Sequence, residues 1–129
     1  MDMKITFPGG KKVNAEYNGF IHETDQSRVS GGEESAPEPF SVFLSSIGTC
    51  AGIYVLRFCQ QREIDPNGME IIQSMNFNPS SGMIDRINLN IILSEDFPDK
   101  YKKAVIKSAN LCAVKKHMEN PPRFEITTT

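Results

Sequence analysis

Pro39-Phe40-Ser41-Val42-Phe43-Leu44-Ser45-Ser46-Ile47-Gly48-Thr49-Cys50-Ala51-Gly52-Ile53-Tyr54-Val55-Leu56 decides how this chain is read. From Phe40 to Leu56 there are 17 residues without a charge, followed by Arg57-Phe58-Cys59-Gln60-Gln61-Arg62-Glu63 and then the stop signal Asp65-Pro66-Asn67-Gly68. Pro37 and Pro39 stand where a helix begins, because proline's fixed φ and missing N–H suit the first turn, and Glu38 suits its positive end. The stretch predicts one long helix. Seventeen uncharged residues reach the lower edge of a bilayer span, about 17–25. Ser41, Ser45, Ser46 and Thr49 dilute the run and no basic flank orients it, so the expectation is a core helix buried on nearly every side, with no membrane. Such a helix needs partners all round. A chain of 129 residues struggles to supply them, which is a physical hint of a homodimer with this helix near its interface.

Outward from the helix, the N-terminal side reads as strands. Lys4–Phe7 alternates, Pro8-Gly9-Gly10 breaks it, Val13–Tyr17 alternates again, and Asn18-Gly19 is a two-residue hairpin signal before Phe20–Glu23. Residues 24–36, rich in Asp, Ser, Gly and Glu, form a surface loop. On the C-terminal side, Met69–Phe77 and Met83–Leu93 predict a hairpin joined by Asn78-Pro79-Ser80-Ser81-Gly82, with Ile87, Leu89, Ile91 and Leu93 on one face. Asp96 is the expected N-cap of a second helix. Tyr101, Val105, Ala109 and Cys112 would share its apolar stripe and Lys100, Lys103 and Lys107 its wet face. Arg123–Thr127 is expected as a closing strand. Strands, helix, strands, helix, strand make an α+β fold, and the length predicts a single domain over residues 1–129.

Composition removes several function classes. Fourteen Lys and Arg against 16 Asp and Glu give a net charge of −2, whereas nucleic-acid binders are usually strongly basic; no nucleic acid is expected. The N-terminus lacks a signal-like apolar run, so the expected compartment is the cytoplasm. Three cysteines, Cys50, Cys59 and Cys112, are an odd count among reduced thiols, so a disulfide framework is not expected. His22 and His117 are the only histidines, too few for a structural metal site, and no phosphate loop or nucleophile elbow appears. Neither metal nor cofactor is expected.

The chemistry must then lie in the thiols. Cys50 and Cys59 fall about 180° apart around one helix and about 13 Å apart along it, too far to bridge. Cys112 is the available partner for either. Cys50 is favoured by its small neighbours Gly48, Thr49, Ala51 and Gly52, which let another element or a substrate come close. A buried cysteine is otherwise an inert small hydrophobe.

Pro39–Cys50, followed 62 residues later by Cys112-Ala113-Val114, resembles the two-cysteine pattern of the OsmC/Ohr family of osmotically induced and organic-hydroperoxide-resistance proteins. The resemblance extends to the element order of most of the chain. It implies an OsmC-like fold, an intertwined homodimer with sites at the interface, and thiol-dependent reduction of small hydroperoxides. It makes Cys50 the peroxidatic thiol and Cys112 the resolving one, with a dithiol reductant reopening their disulfide. Peroxidase members hold the thiolate with an arginine and a glutamate. The glutamate falls roughly one residue after the proline, where this chain has Phe40 and Ser41, so Glu38 becomes the acidic candidate. Arg28 is the only arginine before the helix, and Arg57 lies about 10 Å along the axis from Cys50. A cysteine without a cationic partner keeps an ordinary thiol pKa, and the alternative is a non-catalytic member that binds a small ligand or partner.

Overall fold

The computed structural model describes residues 1–129, which form two compact units, Met1–Ser45 and Ser46–Thr129. In the first unit, β1 (Lys4–Gly9), β2 (Lys12–Tyr17) and β3 (Phe20–Thr24) make an antiparallel sheet in the order β1-β2-β3. The β2–β3 turn is the one its sequence demands. Asn18 and Gly19 both take positive φ, 50° and 80°, the pairing that matches the twist of the flanking strands.

The loop that follows β3 is organised around one carboxylate. Asp25 is 1% exposed and accepts the N–H groups of Gln26, Glu33 and Ser35 and the Ser35 hydroxyl, at 2.8, 3.3, 3.1 and 2.7 Å. The Ser35 hydroxyl, then the Gln26 N–H, hold its pKa down at about 2. The loop closes where the Asp25 N–H donates to the Pro37 carbonyl. Gly32 is obligatory here: a Cβ on it would sit 2.1 Å from the Gln26 carbonyl oxygen.

Helix α1 (Pro39–Gln61) begins at Pro39, with the Val42 N–H closing the first turn on the Glu38 carbonyl. Its buried residues are Ile47, Ala51, Val55, Phe58 and Cys59. Steps of four, four, three and one trace a single stripe, not the all-round burial expected. Phe40, Phe43 and Ile53 are exposed. By length and hydropathy alone α1 could cross a membrane.

In the second unit the α1 stripe meets β4 (Glu70–Asn78) and β5 (Met83–Ile92), an antiparallel hairpin, and the helices beyond it. Gly48 lets the hairpin approach: the Gln73 side-chain oxygen lies 2.7 Å from where a Cβ would sit, whereas at Gly52 the nearest atom, Ile71 Cδ1, is at an ordinary contact distance of 3.8 Å. On β5, Ile87, Leu89 and Ile91 are the half-buried face, as the alternation predicts. The core is Val55, Phe58, Cys59, Phe97 and Val105, with Ile91, Leu93 and Tyr101 packed against it. Each such side chain contributes about 1.5–3 kcal/mol by burial. Arg62 lies over Phe58, 3.7 Å from the ring centroid, and 5.3 Å from that of Tyr101, so a cation–π contact covers the end of the core.

The second predicted helix is three pieces. A 3₁₀ turn (Asp99–Tyr101) leads into α2 (Lys102–Ala109), and α3 (Ala113–Glu119) follows a break at residues 110–112. Asp96 caps none of them, since Pro98 occupies the N-cap position of the 3₁₀ turn. Cys112 is consequently not on the α2 stripe but at the N-cap of α3. Arg123–Thr127 forms no strand; an alternating segment becomes one only when a neighbouring strand takes its N–H and C=O groups.

Candidate thiol site

Two of the three cysteines meet. α1 carries Cys50, which is half-buried, and the break before α3 carries Cys112, which is 2% exposed. The two side chains hydrogen-bond each other, sulfur to sulfur, and both are free thiols. The backbone N–H groups of Val114 and Ala113 are aimed at the Cys50 sulfur, and the first of these is the main reason that its pKa is lowered. A hydrogen bond to the charged form favours that form, so of the two thiols Cys50 ionises the more readily.

Cys112 is pushed the other way, first by burial and then by the neighbouring Cys50. Its sulfur lies 3.9 Å from the Ile47 carbonyl, to which the thiol donates, and accepts the Lys115 N–H at 3.5 Å. One sulfur is thus eased toward its thiolate and the other away from it, side by side. That is the arrangement in which a sulfenic acid formed on the first can be captured by the second.

Cys59 takes no part. It is fully buried against the Met69 sulfur at 3.9 Å, and burial raises its pKa, as expected of an inert packed thiol.

The charged candidates are occupied locally. Glu38 accepts the Ser27 N–H at 3.0 Å within the first unit. Arg28 is held to Glu34, whose carboxylate is 3.7 Å from the guanidinium Nε and also accepts the Arg28 N–H at 3.0 Å. Arg57 stands over the Tyr54 ring, 5.9 Å from its centroid. What lowers the Cys50 pKa is backbone N–H and Cys112, working against burial, and no guanidinium contributes. The Ala113 and Val114 donors are missed by a reading that keeps the second helix continuous. Asn110, directly after the last residue of the α2 stripe, is the signal that marks the break.

Beside the pair, β5, α2 and α3 enclose a largely apolar cavity of about 630 Å³, lined by Ile87, Leu89, Ile106, Cys112 and Met118 among others.

A match to the family model for OsmC-like protein covers residues 31–127. The chain belongs to the OsmC-like family. Solved structures share its fold at low identity. A Psychrobacter arcticus 273-4 protein provisionally named for osmotic stress induction and a detoxification response superposes with a TM-score of 0.72 at 20% identity, over 88% of this chain and 85% of that one. The OsmC like protein from Mycoplasma pneumoniae gives 0.68 at 17%, over 93% and 87%. The organic hydroperoxide resistance protein OhrB of Bacillus subtilis gives 0.53 at 16%, over 93% of each chain. No curated protein matches. The α+β architecture, with antiparallel sheets and one long helix, is therefore that of OsmC-like structures.

Proposed function

We propose that this OsmC-like chain reduces organic hydroperoxides through Cys50 and Cys112. The observation that carries the reading is the sulfur pair itself, with the Cys50 pKa lowered by the Val114 N–H, Cys112 and the Ala113 N–H, and that of Cys112 raised at its side. The Cys50 thiolate attacks the distal oxygen of the hydroperoxide. The O–O bond breaks, the alcohol leaves after taking a proton, and Cys50 becomes a sulfenic acid. Cys112 then attacks the Cys50 sulfur, its proton leaves with the hydroxyl as water, and a disulfide forms. A dithiol supplies the two electrons that reopen it. The names of family neighbours such as the Bacillus subtilis protein support the substrate class.

In this reading residues 1–129 act as one OsmC-like domain in a cytoplasmic homodimer. Exposed apolar side chains on α1, Phe40 and Phe43 in its first turns and Ile53 further along, support a second copy, since exposed apolar surface gains by burial. The experiment is intact mass under non-reducing conditions after one equivalent of cumene hydroperoxide, with peptide mapping. Loss of two hydrogens mapped to Cys50 and Cys112 supports the reading, and an unchanged mass refutes it.

A second reading has its own observation. The cavity beside Cys112 is of ligand size and no cation acts on Cys50, as in a non-catalytic module that binds a small apolar molecule. Slow labelling of all three thiols in the folded protein would favour it.

A further inference from the structure

The first turn of α3 is capped by sulfur. Ala113 and Val114 direct their N–H groups at Cys50, and Lys115 directs its own at Cys112; the Lys116 N–H is the first to find a helix carbonyl, that of Cys112. Of the four N–H groups that a helix leaves unsatisfied at its start, that of Cys112 goes to the Ala109 carbonyl and the other three meet the two thiols, the Val114 N–H acting on both sulfurs. Little else holds α3. It has seven residues, none of them buried, and an isolated helix shorter than about 12–15 residues is marginal in water. Its remaining side-chain ties are local and exposed: Lys115 Nζ donates to Asn110 Oδ1 at 2.6 Å and pairs with Glu119 at 3.6 Å, His117 Nδ1 meets the Ala113 carbonyl, and Asn120 Nδ2 donates to the Lys116 carbonyl at 3.4 Å. α3 is also a wall: Lys115, Met118 and Glu119 line the cavity into which Cys112 faces.

We propose that α3 is a redox-gated cover, ordered while Cys50 and Cys112 are thiols and loosened when they join as a disulfide. This rests on the Cys50–Cys112 chemistry proposed above. Joining the sulfurs removes two protons and two electrons, which the hydroperoxide accepts to give alcohol and water. The bond takes away the ionisable Cys50 sulfur that receives the Ala113 and Val114 N–H groups. It also removes the S–H that Cys112 donates to Ile47, and turns the Cys112 sulfur toward Cys50 and away from Lys115. A disulfide sulfur is a poor acceptor, so three caps weaken in one step. The consequence serves turnover. The resolving thiol stays buried while reduced, protected from stray oxidants, and the disulfide becomes reachable to a reductant only after it has formed.

The test is amide hydrogen exchange on the full chain, reduced and after oxidation with diamide, with the bond confirmed by peptide mapping. Diamide takes the two electrons and two protons itself, so disulfide formation is separated from peroxide chemistry. Exchange over residues 113–119 is expected to rise at least tenfold on oxidation, with faster tryptic cleavage after Lys115 and Lys116, while β4 and β5 are unchanged. Cys112→Ser cannot form the bond and supplies a good cap, so its α3 should exchange slowly in both conditions. A mapped Cys50–Cys112 disulfide whose α3 exchanges at the reduced rate overturns the gate and leaves the two-thiol reading standing. A bond that forms with diamide but not with hydroperoxide, and loosens α3, upholds the gate and overturns the peroxidase reading. Failure of diamide to form the bond overturns both.

Discussion

Cys50 and Cys112, 62 positions apart in sequence, hydrogen-bond sulfur to sulfur at the start of α3 and carry opposite pKa shifts. The opposition has a simple origin. For Cys50 the N–H of Val114, with Cys112 and the Ala113 N–H, outweighs burial, whereas for Cys112 burial and the neighbouring Cys50 outweigh the N–H groups of Lys115 and Val114.

Alkylation kinetics should show the division of labour. Iodoacetamide, followed by peptide mapping from pH 6 to 10, is expected to titrate Cys50 with a midpoint below the ordinary thiol value of about 8.5, and Cys112 above it. The sign follows from the thiolate being the reacting form. Equal midpoints would remove the physical basis for assigning separate roles.

Substitution at Cys112 separates its two duties. Cys112→Ser keeps a cap for the Lys115 N–H but removes the resolving thiol, so peroxide should leave a mixture of sulfenic and over-oxidised Cys50 in a protein of nearly native stability. Cys112→Ala removes both, and loss of a cap costs about 0.5–2 kcal/mol. Thermal unfolding of the two variants, compared with mass spectrometry of the oxidised products, distinguishes cap from chemistry; equal stability would mean that the sulfur caps nothing.

Much of this was legible in the sequence, for reasons that can be named. Asn18-Gly19 fixed a turn because few residues tolerate positive φ, and the β5 alternation fixed a face because strand side chains repeat every two residues. Pro39 and Asp65-Pro66 bounded α1. The break before α3 was hidden because Cys112 continues the apolar spacing of Tyr101, Val105 and Ala109, and periodicity carries no information about which backbone N–H groups are unsatisfied. Arg123–Thr127 has a strand's alternation without a strand's neighbour. The Asp25 hub was also unread, since an aspartate before a Ser- and Gly-rich loop signals a turn but not that four donors converge on it.

Asp25 gives a pH prediction. Its folded pKa of about 2 lies below the ordinary 3.8, so the stability it contributes is fully present above pH 4 and is lost as pH falls through the folded value near 2. Asp25→Asn should lower the unfolding temperature at neutral pH, and the gap from the native chain should close progressively from pH 4 to pH 2. Chemical denaturation across that range checks it; a gap independent of pH would show that the carboxylate charge is immaterial to the loop.

Cys59 serves as the internal control. Serine there would bury a hydroxyl beside the Met69 thioether, at a cost of about 1–3 kcal/mol. Hydroperoxide consumption per folded molecule should be unchanged. A Cys59→Ser variant that is fully stable but inactive would move the reactive pair to Cys59 and Cys112.

The most direct test of the central claim is the non-reducing intact mass of the native chain and of Cys50→Ser after one equivalent of cumene hydroperoxide. The account predicts a rapid loss of two hydrogens in the native chain, mapped to a Cys50–Cys112 bond, and none in the variant. A native mass that stays unchanged for minutes, or a Cys50→Ser variant that still consumes the hydroperoxide, would contradict it.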